Sequence, residues 1–212
     1  PSVQARSAID RDIEVPIGYG LVLQGSLAIP RGAKGLVLFA HGSGSSRFSP
    51  RNRFVAQVLQ EAGLATLLMD LLTREEEEAE RWTRHYRFDI ALLAGRLELA
   101  TGWLGRNPET RKLRTGYFGS STGAAAALVA AAERPSLVGA VVSRGGRPDL
   151  AGAALGKVRC PTLLIVGGDD VPVLELNREA LAALECEKRL EVVPGATHLF
   201  EEPGTLEAVA EL

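Results

Sequence analysis

One pentad in this chain has the residue types and spacing for nucleophilic catalysis. Gly119-x-Ser121-x-Gly123 follows the apolar pair Tyr117-Phe118 and runs into the alanine-rich stretch Ala124 to Ala132. This reads as strand, sharp turn and helix, the arrangement that thrusts a serine hydroxyl out of a sheet. Glycines two residues to either side remove the Cβ atoms that would collide in so tight a turn. The spacing selects Ser121 over its neighbour Ser120. A serine hydroxyl is a weak nucleophile until a base takes its proton, and that base needs an acid to hold its tautomer. Five-residue patterns of this kind also arise by chance, so the partners must be found elsewhere in the chain.

His198, in the loop Gly195-Ala196-Thr197-His198, supplies a group that can accept and return a proton near neutral pH. Asp169 and Asp170, in Gly167-Gly168-Asp169-Asp170, compete for the acid. An oxyanion hole needs backbone N–H donors. Thr122, directly after the nucleophile, offers one. A second is expected from the small-residue loop His41-Gly42-Ser43-Gly44-Ser45-Ser46, with Ser43 preferred and Gly44 as the alternative. His41 itself is expected to bond this loop.

These residues need a frame that gathers them at one edge. Gly35 to Ala40, Leu64 to Leu71, Tyr117 to Ser120, Val138 to Ser143, Pro161 to Val166 and Arg189 to Val193 read as strands. Asp12 to Ile17 and Leu21 to Ile29 form an opening hairpin around Gly18 and Gly20. Helices are expected from Ser49-Pro50 to Ala62, after a Thr73/Glu76 capping box, over Phe88 to Leu104, through the alanine run, over Leu174 to Leu184, and from Thr205 to Leu212. Apolar strands alternating with helices predict an α/β fold with a mostly parallel sheet covered on both faces. Ligands of such sheets bind beyond the carboxyl ends of the strands, where Ser121, Asp170 and His198 all fall. No repeat or linker divides the chain, so residues 1–212 are expected to form one domain.

At 212 residues, 46% hydrophobic, 24% charged and with a net charge of −2, the composition is that of an ordinary globular protein. It gives no reason to expect nucleic acid or membrane as a partner. Pro1 to Asp12 is polar and lacks the apolar core of a secretory signal. Cys160 and Cys186 form neither a disulfide framework nor a metal-site spacing. Nothing calls for a metal or cofactor, and a cytoplasmic location is the expectation. The last helix is short, which leaves open that the native chain continues past Leu212. Exposed edge strands leave homodimerisation open.

Specificity has four candidate residues. Thr73 to Arg87 leaves a strand at its carboxyl end and is expected to form part of the rim. Trp82 and Tyr86 in it are either substrate contacts or packing residues, packing being the plainer reading. Arg144 and Arg147 emerge beside the nucleophile, where they either favour an anionic acyl group or are solvated or paired with Asp149. The Glu75–Glu78 run reads as a solvated helix start. Only about a dozen residues separate Gly145 from Arg159, room for one short helix and a shallow site suited to small esters.

Several blocks carry a resemblance: Leu38 to Ser46, Ser49-Pro50-Arg51-Asn52, Phe118 to Ala127, Pro161 to Asp170, and Gly195 to His198. Together they resemble the α/β-hydrolase superfamily and, within it, the dienelactone-hydrolase-like proteins, over nearly the whole chain after Val22. The chain order Ser, Asp, His is that of α/β-hydrolases. The resemblance implies a doubly wound sheet of about seven or eight strands with no large lid domain. Gly167-x-x-Asp170-x-x-Val173 puts Asp170 at the usual α/β-hydrolase distance after its strand, which favours it over Asp169. Dienelactone hydrolase itself uses cysteine as its nucleophile, whereas Ser121 stands here, so its substrate is not implied. Similar domains are sometimes joined to phosphoribosyltransferase domains. The expected activity is cofactor-independent hydrolysis of a small carboxylic ester or thioester through an acyl-enzyme. Lactone or amide cleavage by the same triad is an alternative. A non-catalytic binding or regulatory domain on this fold is another, against which the intact triad argues.

Overall fold

The computed structural model describes residues 7–212. Residues 1–6, half of the polar Pro1–Asp12 stretch, lie outside the described residues. Eight strands form a single sheet: β1 (Ser7–Gly18), β2 (Leu21–Pro30), β3 (Leu36–Ala40), β4 (Ala65–Met69), β5 (Thr115–Ser120), β6 (Val138–Arg144), β7 (Thr162–Gly167) and β8 (Lys188–Val193). Their order is β1-β2-β4-β3-β5-β6-β7-β8. β2 runs antiparallel to both β1 and β4, and every other pair is parallel. The helices are α1 (Pro50–Glu61), α2 (Arg74–Thr83), α3 (Ile90–Arg106), α4 (Thr122–Glu133), α5 (Val171–Ala183) and α6 (Thr205–Glu211). No described helix is long and apolar enough to cross a membrane.

Strand alternation sends neighbouring side chains to opposite faces, and the central strands are apolar on both. Leu38 and Tyr117 join one core cluster with Leu97 and Leu128 of α3 and α4, while Phe39 and Phe118 join a second with Val55 of α1 and Val209 of α6. α4 is almost wholly buried, Ala124 to Leu128 being fully inaccessible. The small side chains of Ala124 to Ala127 let its first turns lie close against the sheet.

Two boundaries differ instructively from the sequence reading. β1 begins at Ser7, not Asp12, because its largely exposed edge is held by backbone pairing such as Asp10 opposite Ala28 and leaves no apolar pattern to read. α5 begins at Val171, immediately after Asp170, where Pro172 suits a first helical turn. The interval after β6 holds only short 3₁₀ turns over Pro148–Lys157, kinked at Gly152. After β3 the chain winds outward to β4, then crosses back over β3 to β5. The carboxyl ends of β3 and β5 therefore flank a topological switch point, where open α/β sheets bind their ligands.

Candidate active site

Ser121 sits at that switch point with φ 51° and ψ −122°, a conformation rare for a residue with a Cβ. The flanking glycines make it attainable. A Cβ at Gly119 would come within 2.5 Å of the Ala124 Cα, and one at Gly123 within 2.2 Å of the Ala40 carbonyl oxygen. The turn is thus wedged between α4 and the end of β3, which aims the Ser121 side chain out of the sheet.

The loop after β7 delivers Asp170 to the loop after β8. The His198 Nδ1 and the Asp170 Oδ2 are 2.8 Å apart. Asp169 is exposed, and its backbone N–H donates to the Ala196 carbonyl at 3.0 Å, tying the two loops together. The geometry thus brings Asp170, rather than Asp169, to the histidine. With an ionised Asp170, Nδ1 carries the proton and Nε2 keeps its lone pair. His198 and Ser121 line one cleft of about 220 Å³, together with Gly42, Ser43, Ser45, Ser49, Arg51, Asn52, Ser120 and Arg144 among others.

The opposite wall is a web of short bonds. A Cβ at Gly42 would lie 3.1 Å from the Ser121 Cβ, so the loop after β3 runs directly against the nucleophile. His41 is buried and accepts the Leu71 N–H at Nε2 (3.0 Å), so its Nδ1–H donates to the Gly42 carbonyl (2.8 Å). Burial pushes its pKa down, keeping the ring neutral as these bonds require. This is the loop-bonding role expected of it. Ser43 Oγ–H donates to the Arg87 carbonyl at 2.9 Å, and the same oxygen lies 2.8 Å from the Thr122 hydroxyl. Ser43 has one hydroxyl proton, so Thr122 is the donor of the second bond. The two residues expected to form the oxyanion hole are joined through their side chains.

The specificity candidates separate. Arg144 is 5% exposed at the end of β6 and lines the cleft. Its Nη2–H donates to Ser120 Oγ at 2.9 Å and to Asn52 Oδ1 at 3.5 Å, and its guanidinium lies over the Phe200 ring. It is neither solvated nor paired with Asp149. Burial, with the nearby Arg51 charge, pushes its pKa down to about 10, which leaves it cationic at neutral pH. Arg147 instead forks onto Asp149 (3.0 and 2.8 Å), so its side chain is turned from the cleft; only its backbone N–H reaches the elbow, donating to the Ser121 carbonyl. Trp82 is 90% exposed on α2, and Tyr86 packs against the core. Neither lines the cleft, because α2 directs other residues inward.

Of those residues, the sequence singled out Glu76 alone, and only as the capping-box partner of Thr73. Glu76 and Glu80, one helical turn apart, face inward from the acidic run. Glu76 pairs with Arg96 and closes the Thr73 capping box, and Glu80, 2% exposed, binds the Tyr86–Arg87 turn. The run is therefore a solvated face at Glu75, Glu77 and Glu78 only. The i, i+4 spacing with arginines downstream was the available signal. Arg51 and Asn52 stand just inside the N-cap that Ser49 provides to α1, which aims them at the cleft.

The model of the dienelactone hydrolase family matches residues 23–211. The crystal structure of a dienelactone hydrolase from Anabaena variabilis superposes with a TM-score of 0.94 and 64% identity, covering 96% of this chain and 94% of that one. A Mycobacterium tuberculosis protein named “Putative phosphoribosyl transferase” is 62% identical over 203 residues, 95% of this chain but 45% of the relative. This chain thus spans about half the length of the curated relatives it matches. A dienelactone hydrolase-like promiscuous phosphotriesterase from metagenomic libraries, at 18% identity and a TM-score of 0.75, shares the fold.

Proposed function

Because the chain belongs to the dienelactone hydrolase family of α/β hydrolases, we propose that it is a serine hydrolase that cleaves a small carboxylic ester or thioester through an acyl-enzyme on Ser121. The observation that carries this reading is the 2.8 Å contact of Asp170 with His198 Nδ1, with Ser121 in the same cleft on a strained elbow. Ser121 Oγ attacks the acyl carbon while His198 Nε2 takes its proton. Asp170 holds the Nδ1–H and stabilises the imidazolium. The developing oxyanion receives the backbone N–H groups of Thr122 and Ser43. His198 returns the proton to the departing alcohol or thiol. Water, deprotonated by His198, then attacks the acyl carbon and releases the acid and Ser121.

The substrate carries an anionic group in this proposal. Arg144 and Arg51 present two cationic groups to the cleft, and the Nε of each is buried with no partner among the described residues. The only ion-pair partner of Arg51 among those residues is the exposed Glu201 at 4.0 Å, and Arg144 has none. A buried cation without a counter-ion is costly, and a bound carboxylate relieves that cost. Residues 23–211 match a hydrolase family, which favours hydrolysis over the phosphoribosyl transfer named for the longer relatives.

A fluorophosphonate probe tests the mechanism. Wild type is expected to label covalently and to hydrolyse 4-nitrophenyl esters, and Ser121→Ala to do neither. A folded wild-type protein that takes up no probe and turns over no ester would sink the reading.

A further inference from the structure

The charged end of α2 lies too far along the chain from the elbow to be read with it, yet one continuous line of bonds joins them. The Glu80 Oε1 accepts the Tyr86 N–H at 2.5 Å, and Oε2 accepts the Arg87 backbone N–H (3.3 Å) and Nε–H (2.8 Å). These bonds hold the turn that follows Arg84, whose left-handed φ of 50° ends α2. That turn presents the Arg87 carbonyl to the Ser43 hydroxyl, which in turn receives the Thr122 hydroxyl proton. Glu80, Arg87, Ser43 and Thr122 all line one crevice, too small at about 10 Å³ for anything beyond a water. It is packing and not a substrate pocket.

We propose that Glu80 is a positioning residue for the oxyanion hole. It acts through the Arg87 carbonyl on Ser43 and through Ser43 on Thr122, and it touches no substrate. The proposal rests on the reading of Ser43 and Thr122 as oxyanion donors. The physical reason for such a line is that oxyanion stabilisation depends on donors held at a set distance before charge develops. The loop from Gly42 to Ser46 has few apolar side chains with which to hold itself, and the Ser43 hydroxyl ties it both to α4 and to the α2 side.

Glu80→Gln tests this, since the amide keeps the shape but must turn an N–H₂ toward one of three donors. Expected for Glu80→Gln and Ser43→Ala alike is a fall in kcat of about tenfold with KM nearly unchanged, less than the loss of a whole donor. Affinity for a trifluoromethyl ketone, which forms a tetrahedral oxyanion on Ser121, should fall in parallel with kcat. The double variant should be no worse than the poorer single one, because both cut the same line. Additive losses, or a Glu80→Gln protein that melts lower yet keeps wild-type kcat and ketone affinity, would overturn the proposal. Thr122→Ser, which retains the hydroxyl, should recover most of what Thr122→Val loses; equal losses in the two would also overturn it. Failure of the underlying reading shows separately, as wild-type protein that neither labels nor turns over ester.

Discussion

The two walls of the cleft are built on different principles. On the β3–β4 side, His41, Ser43, Thr122, Glu80 and Arg87 are tied to one another and to backbone groups, and most of their polar atoms are committed. On the β7–β8 side, His198 is 39% exposed at its side chain and makes one bond, to Asp170. Donors that stabilise a developing charge lose their value if they must reorganise. As the proposed base, His198 must keep its second nitrogen free of partners other than Ser121 and the leaving group. In the proposed mechanism, the rigid wall and the open wall meet those opposed demands.

The largest test of this contrast falls on the open wall. Asp170→Asn should lower kcat by about 10⁴-fold, because the wrong tautomer then faces Ser121. Asp169→Asn, altering an exposed neighbour, should leave steady-state ester hydrolysis within about twofold; a matching collapse would move the acid to Asp169. Next is the charge that Arg144 brings to the cleft. Arg144→Met should cut kcat/KM for a 4-nitrophenyl hemiester of glutarate by about 30-fold more than for 4-nitrophenyl valerate. Equal losses would reduce Arg144 to a support for Ser120 and Asn52.

The rigid wall is sharpened by pH. Burial alone would push the Glu80 carboxyl up, but the Arg87 guanidinium and two backbone N–H donors outweigh it and hold it below the ordinary value of 4.5. A carboxyl depressed in the folded state stabilises the fold above its unfolded value and loses that contribution as pH falls through the folded one. Urea unfolding should therefore show wild type more stable than Glu80→Gln at pH 7, with the gap closing as pH drops below about 4.5. A gap independent of pH would mean that Glu80 contributes packing and not charge. The smallest effect belongs to Trp82→Ala, expected to leave kcat/KM within about twofold of wild type, since the ring lies outside both walls.

The sheet was legible because it is written in local chemistry. Apolar runs name β3, β4, β6 and β7, Ser49-Pro50 and Thr73 with Glu76 mark helix starts, and Gly119 and Gly123 mark the turn that ends β5, one that only glycine permits. What escaped was the fate of charged side chains. Arg144 and Arg147 stand three residues apart, yet one is buried in the cleft and the other forks onto Asp149. Glu80 and its neighbour Arg81 differ in the same way across one step of helix. Trp82, weighed with Tyr86 as a substrate contact or a packing residue, is instead among the most exposed large side chains.

The sequence by itself determined the elbow, the chain order of a serine, an aspartate and a histidine, and the alternation of strands and helices that carries all three to one rim. Sterics at a turn and the side-chain period of a strand act over a few residues, so they can be read without the fold. Only the tertiary structure decided that Asp170 and not Asp169 meets His198, that Arg144 and not Arg147 enters the cleft, and that Glu80 is linked to Ser43 through Arg87. Those outcomes depend on which side chain is taken out of water, and desolvation is set by what the distant parts of the chain pack against it.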